Sequence, residues 1–146
     1  MDAIFSNRGD VNETAGDGLM VLFLDDDPYT NTKNAVQAAL QIRDQALELV
    51  DACPVLYKPL TINIGINSGE ALVGAAKFDS YTGSRWTYTA RGQVVNIAAR
   101  IGALASKGGI YLSADAAVRV QDDFKLHHIG KHHLKNVPQA IDIFAL

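Results

Sequence analysis

Cysteine is almost absent. Cys53 is the single one in 146 residues, so no intrachain disulfide can form and a reducing compartment is the default expectation. Long apolar runs are missing too. Stretches such as Leu19 to Leu24 fall far short of the roughly 20 residues that a membrane-spanning helix needs, and no basic-then-apolar leader opens the chain. These absences read as a cytoplasmic-type domain with no direct membrane contact, one that is compatible with a place in a larger sensor or membrane protein. Positive charge is also scarce. Thirteen Lys and Arg against 16 Asp and Glu leave a formal net charge of −3, with no basic cluster, which excludes nucleic-acid binding driven by counterion release. An anionic substrate would have to be held by a locally positive site or by metal ions, because the global field does not attract it. Repeats, linkers and low-complexity tracts are absent, so residues 1–146 read as a single domain large enough to bury a core.

What is present is a series of short elements. Residues 1–10 have the character of a last helical turn closing on Gly9. Val11 to Ala15 and Leu19 to Leu24 are strands joined by Gly16-Asp17-Gly18, a tight hairpin turn. Asp25-Asp26-Asp27-Pro28 reads as a solvated turn rather than a metal site, since no partner ligands sit nearby. Thr32 to Val50 is a helix whose Val36, Ala39, Leu40, Leu47 and Val50 recur at helical spacing. Leu60 to Asn67 alternates with the period of a half-buried strand. It is expected to pair with Ala71 to Phe78 across the turn Ser68-Gly69-Glu70. Residues 79–85 read as an extended loop or arm, and Trp86 to Ala90 as a strand. Val94 to Ala105 reads as a helix rich in small residues and Ile110 to Leu112 as a strand. Ser113 reads as the N-cap of a helix through Val120. Phe124 to Ile129 and Ile141 to Leu146 are the closing strands. The order β-β-α-β-β-β-α-β-α-β-β implies an α+β fold with a mainly antiparallel sheet and flanking helices.

Two segments carry chemistry. In Asn12-Glu13-Thr14-Ala15-Gly16-Asp17-Gly18, an aspartate at a rigid hairpin tip can reach a metal ion. Taken alone, an aspartate in a Gly-flanked turn is usually turn chemistry. In Tyr88-Thr89-Ala90-Arg91-Gly92-Gln93-Val94-Val95-Asn96-Ile97-Ala98-Ala99-Arg100, Asn96 and Arg100 stand four residues apart on one helix face. An amide and a guanidinium displayed together can hold a ribose oxygen and a phosphate at once.

Taken in this order, and with Ile64-Gly65-Ile66-Asn67-Ser68-Gly69 and Leu134-Lys135, these segments resemble the class III adenylate/guanylate cyclase catalytic domain. The resemblance runs from Val11 to Leu146. It implies a ferredoxin-like-related cyclase fold and conversion of a purine nucleoside triphosphate, ATP or GTP, to a 3′,5′-cyclic monophosphate plus pyrophosphate, with two Mg2+ or Mn2+ ions held by a pair of aspartates. Asp17 matches the second of those aspartates. Asn96 matches the residue that orients the ribose, Arg100 the one that stabilises charge on the α-phosphate, and Lys135 the lysine on the terminal phosphates. Glu13 and Thr89 match the positions that read the base. A carboxylate at position 13 suits the N1–H and N2 amino group of guanine, while Thr89 can donate or accept, so the base stays open. The family's sites form between two chains, which implies a homodimer with the 79–85 arm in its contact.

The same resemblance assigns the first metal aspartate to an opening strand upstream of the hairpin, a place that neither Asp2 nor Asp10 occupies, so this chain alone is expected not to complete the metal site. Gln93 stands where an acidic residue or Asn is usual. The alternative reading is therefore a non-catalytic cyclase-homology domain used for dimerisation or regulation. A generic ferredoxin-like binding domain would leave Asn96 and Arg100 unexplained. His127, His128, His132 and His133 are expected to be solvated edge-strand residues, because strand neighbours point to opposite faces. Trp86 and Tyr88 read as strand packing.

Overall fold

A computed structural model describes residues 1–15, 17–52, 60–80 and 83–146, with the backbone alone at residues 13–15, 76, 78–80 and 83–88. Its centre is a four-stranded sheet in the order β3 (Ile64–Ile66), β6 (Ile110–Ser113), β8 (Ile141–Ala145), β7 (His127–His132), with helices on both faces. The alternation of β6 shows why. Ile110 and Leu112 point to one face, where they meet Val36 and Ala39 of α2 (Pro28–Ala52) and Ala116, Ala117 and Val120 of α4 (Ala114–Val120). Tyr111 points to the other, where Ile143 and Leu134 enclose Ile101 of α3 (Gln93–Leu104). Ile101, Ile110, Leu112 and Ile143 are all fully buried. Burying side chains of this size contributes about 1.5–3 kcal/mol each.

Two antiparallel hairpins stand beside this sheet. β1 (Gly9–Ala15) pairs with β2 (Gly18–Phe23), and β4 (Leu72–Ser80) with β5 (Gly83–Arg91). The first hairpin carries a bulge between Val11 and Glu13. It is not hydrogen-bonded to β3; instead α2 packs against both β2 and β3.

The fold class matches the sequence reading, and so do the first hairpin and the Ser113 cap, whose Oγ accepts from the Ala116 N–H at 3.2 Å. Several particulars differ. The 60–67 and 71–78 segments do not pair with each other. Only Ile64–Ile66 forms a strand, and it lies parallel to β6, while β4 pairs with β5 in unbroken register from Leu72↔Arg91 to Ser80↔Gly83. Alternation fixes which face a side chain takes but not which neighbour supplies the ladder, and Leu60 and Ile62 remain exposed. The described part of the 79–85 arm thus belongs to this hairpin; residues 81 and 82 lie outside the described set, along with Gly16 and residues 53–59. The strand placed at Phe124 to Ile129 lies at His127–His132 instead, because Phe124 and Leu126 pack on the α2/α4 core. The opening helix α1 (Asp2–Ser6) ends at Asn7, and Arg8 takes the positive φ of 60°. Gly9 is already in β1, where an added Cβ would lie 2.7 Å from Ile4 Cγ2. Leu47, expected on the inner face of α2, is exposed.

The aspartate run before α2 serves the helix. Asp27 accepts from the Tyr29 N–H at 3.2 Å and from the Thr30 N–H and hydroxyl at 3.1 and 2.5 Å, an N-cap followed by proline at the first helical position. The Thr30 hydroxyl bond, with the Thr30 amide next, holds the Asp27 carboxyl below its ordinary range. At the same end of α2, Lys33 Nζ donates to Tyr29 Oη and to Asp123 Oδ1, both at 2.9 Å, and the Tyr29 hydroxyl donates to Asp123 Oδ2 at 2.8 Å. The Lys33 bond, then the Tyr29 bond, lowers the Asp123 pKa, and the Tyr29 bond, then Asp123, raises that of Lys33.

Lowered carboxyl pKa values stabilise the fold above their unfolded values near 4 and lose that contribution as pH falls through the folded values. The raised lysine contributes below its unfolded value and loses out only in strong base. The expected result is a stability plateau through neutral pH with a fall below about pH 4. Urea midpoints measured from pH 6 to pH 3 should fall less steeply in Asp123→Asn than in the parent chain. Because these groups are exposed, added salt should flatten the difference.

Candidate functional site

The position of α3 is set by backbone contact. A Cβ on Gly65 of β3 would lie 2.1 Å from the Gly102 nitrogen and 2.4 Å from the Ala98 carbonyl oxygen. Only a residue without a side chain lets strand and helix approach so closely. The first turn of α3 is held separately. Asn67 Nδ2 donates to the Val94 carbonyl at 3.0 Å, and Asn67 Oδ1 accepts from the buried Ser113 hydroxyl at 2.6 Å. Gly92, at φ +136°, makes the sharp passage from β5 into the helix, a conformation that a side chain would strain.

With Ile101 turned inward, Asn96 and Arg100 face solvent one turn apart. Asn96 lines a cleft of about 340 Å³ together with Met20, Thr89, Arg91 and Val95. Thr89 is nearly buried at its floor, 5% exposed. The Cα partner of Met20 across the first hairpin is Glu13, whose side chain lies outside the described set. β1 packs against β5, so the hairpin closes one side of the cleft. Thr89 and Asn96 are therefore brought together in one lining that also holds Met20, the register partner of Glu13.

Three of the site residues are not in the cleft lining. Arg100 sits one helical turn beyond it, exposed. Lys135 is exposed at the tip of a turn closed by the Val137 N–H on the Leu134 carbonyl at 3.1 Å and anchored by buried Leu134. Asp17 is exposed in the turn of the first hairpin. Arg91, Arg100 and Lys135 have no ion-pair partner among the described residues. They supply local positive charge on a chain of net negative charge.

Among the described residues no three of His, Cys, Asp and Glu are grouped to hold a metal ion. A magnesium ion is commonly bound by one or two carboxylates plus substrate phosphates, so Asp17 alone is a partial fit that needs a second carboxylate. The histidines behave as edge-strand residues. His127, His128 and His133 are exposed on or beside β7, and His128 Nε2 lies 2.9 Å from Asp142 Oδ1. Sequence reasoning missed Gly102, the double role of Asn67, and Arg91. Each depends on what lies across the fold, and for Arg91 the available signal was a lone cation between Thr89 and Gly92.

The family described as the adenylate and guanylate cyclase catalytic domain matches residues 1–146. The terminal-differentiation-specific adenylate cyclase of Dictyostelium discoideum is 23% identical over 149 residues, which span 99% of this chain and 7% of that protein. Among solved structures, the adenylyl cyclase CyaB from P. aeruginosa superimposes with a TM-score of 0.89 at 26% identity, covering 99% of this chain and 74% of that one. The guanylyl cyclase Cya2 gives 0.72 at 27% identity, covering 99% and 72%.

Proposed function

The chain belongs to the adenylate and guanylate cyclase catalytic domain family, and on that footing we propose that it is the nucleotide-binding part of a cyclase that converts ATP or GTP to a 3′,5′-cyclic monophosphate and pyrophosphate. The observation that carries this reading is the shared cleft. Thr89 and Asn96 line one depression with Met20, the register partner of Glu13. The residues assigned in this reading to the base and the ribose thus share one depression, of a volume compatible with a nucleoside.

In the reaction, the ribose 3′-oxygen forms a bond to the α-phosphorus as the bond to the β-phosphate bridging oxygen breaks. The 3′-hydroxyl loses its proton and pyrophosphate leaves. The Asn96 amide would hold the ribose so that its 3′-oxygen lies in line with the leaving group. The Arg100 guanidinium, one turn along, would donate to the α-phosphate oxygens as charge builds on them. Lys135 would hold the terminal phosphates and the departing pyrophosphate as a mobile cation. Divalent Mg2+ or Mn2+ supplies charge neutralisation and acidification of the hydroxyl when bound, and Asp17 is the described residue suited to ligate it. Asp17 lies outside the lining of the Thr89–Asn96 cleft, which supports a homodimeric arrangement in which one chain's hairpin serves its partner's nucleotide.

A second reading, a non-catalytic domain for dimerisation or regulation, fits the finding that among the described residues no three His, Cys, Asp or Glu are grouped to hold a metal ion. A cyclase assay with Mn2+ and either ATP or GTP separates the two, comparing this chain with a version extended upstream to the length of the solved relatives. Activity that appears on extension supports the enzyme. An extended protein that makes neither cyclic nucleotide refutes it.

A further inference from the structure

The cleft holds one charged side chain that the catalytic reading leaves without a task. Arg91 is the last residue of β5, exposed, and among the described residues the single ionisable group in the lining it shares with Met20, Thr89, Ala90, Gly92, Val95 and Asn96. No carboxylate among the described residues lies within ion-pair distance of it. It stands two residues after the nearly buried Thr89 and directly before the sharp turn at Gly92. Along α3 (Gln93–Leu104), Arg100 stands four residues, about 6 Å, beyond Asn96, whereas Arg91 precedes the helix at the end of β5. A nucleotide that lays its ribose on Asn96 and its α-phosphate on Arg100 therefore has its base at the Arg91 end.

We infer that Arg91 is a specificity-determining residue that favours guanine over adenine. The inference rests on the nucleotide-site reading and goes beyond it by fixing the base. The argument is one of donors and acceptors. A guanidinium carries five N–H donors and no acceptor. Guanine presents two adjacent acceptors, N7 and O6, that match its fork, whereas adenine puts an amino donor in place of O6. Against adenine one of the two donors of Arg91 faces another donor and is left unpaired. A phosphate role falls instead to the far side of Asn96, where Arg100 lies one turn along α3 and Leu134, beside Lys135, packs on Ile101. A carboxylate at position 13, in register with Met20, would accept from the N1–H and N2 amino group on the edge of guanine that Arg91 does not use. The two residues would then read different edges of one base.

The test is competition of GTP, ATP and 7-deaza-GTP against a fluorescent GTP analogue on the whole polypeptide with Mn2+ present, for the parent protein, Arg91→Leu and Arg91→Lys. The parent is expected to bind GTP roughly 10- to 100-fold more tightly than ATP, the range of one good bidentate base contact. Removing the N7 acceptor should cost the parent several-fold. In Arg91→Leu the preference for GTP should fall by most of that factor through weaker GTP binding, and 7-deaza-GTP should bind like GTP. Arg91→Lys, which keeps the charge and loses the fork, should fall with it. Equal weakening of ATP and GTP in Arg91→Leu would overturn the inference in favour of a general charge effect, and an unchanged preference would overturn it outright. Failure of all three nucleotides to compete would remove the nucleotide-site reading itself, a result distinct from either. Because Arg91 is exposed, both variants should keep the circular dichroism spectrum of the parent.

Discussion

Gly65→Ala should be the most damaging single-methyl change in this molecule. The added carbon would lie 2.1 Å from the Gly102 nitrogen and 2.4 Å from the Ala98 carbonyl oxygen. Both are backbone atoms of α3, so no side chain can swing aside to make room. The helix must move off the sheet as a body, taking the packing of Ile101 against Ile143 and Leu134 with it. Overpacking of this kind costs about 3 kcal/mol. If Asn96 and Arg100 hold the nucleotide as proposed, a helix displaced by about 1 Å also carries them out of line, a misplacement worth about 10²-fold in rate. The measurements are the urea midpoint and nucleotide affinity. Gly74→Ala is the control, because nothing lies within 4 Å of a methyl there, and it should change stability by no more than about 1 kcal/mol. Equal midpoints for the two variants would disprove the account of how α3 is seated.

Arg100→Ala should act in the opposite way, on rate and not on stability. Its side chain is exposed and has no partner among the described residues, so truncation leaves nothing buried unpaired. If the guanidinium meets charge that develops on the α-phosphate, kcat should fall about 10²- to 10³-fold, while KM changes by only a few-fold. Arg100→Lys should recover part of the loss, since it restores the charge without the two-pronged geometry. Steady-state kinetics of the extended protein with Mn2+ would show this. A rise in KM at constant kcat would reduce Arg100 to a ground-state binding residue, and an unchanged rate would remove it from the site.

The sequence carried much of this, unevenly. Residues whose role is local were readable. Asn96 and Arg100 share a face because helices repeat every 3.6 residues, Ser113 caps because a hydroxyl before an apolar turn does so, and Asp17 sits in a hairpin turn because glycines flank it. What depended on partners across the fold was not readable. Leu60 to Asn67 alternates over eight positions, but only Ile64–Ile66 meets a neighbour, and that neighbour is β6, more than forty residues away. Gly65 carries no local sign of the Gly102 backbone that lies against it. Asn67 looked like the polar end of an alternating run, and its two bonds, to Val94 and Ser113, join elements that no local pattern connects. Of the four histidines expected to be solvated, His127, His128 and His133 are exposed, while His132 is half-buried.

The Ser113 hydroxyl has a consequence beyond capping. It accepts from the Ala116 amide and donates to Asn67, whose amide in turn holds the Val94 carbonyl. A hydroxyl that gives and receives at once makes each bond strengthen the other. The start of α4, on one face of the sheet, and the first turn of α3, on the other, are thus two ends of one polar lever that passes the edge of β3. Free energies of this kind are reciprocal. Whatever steadies the turn beside Asn96 must also steady the root of α4, and whatever pulls on α4 from outside is felt at the first turn of α3.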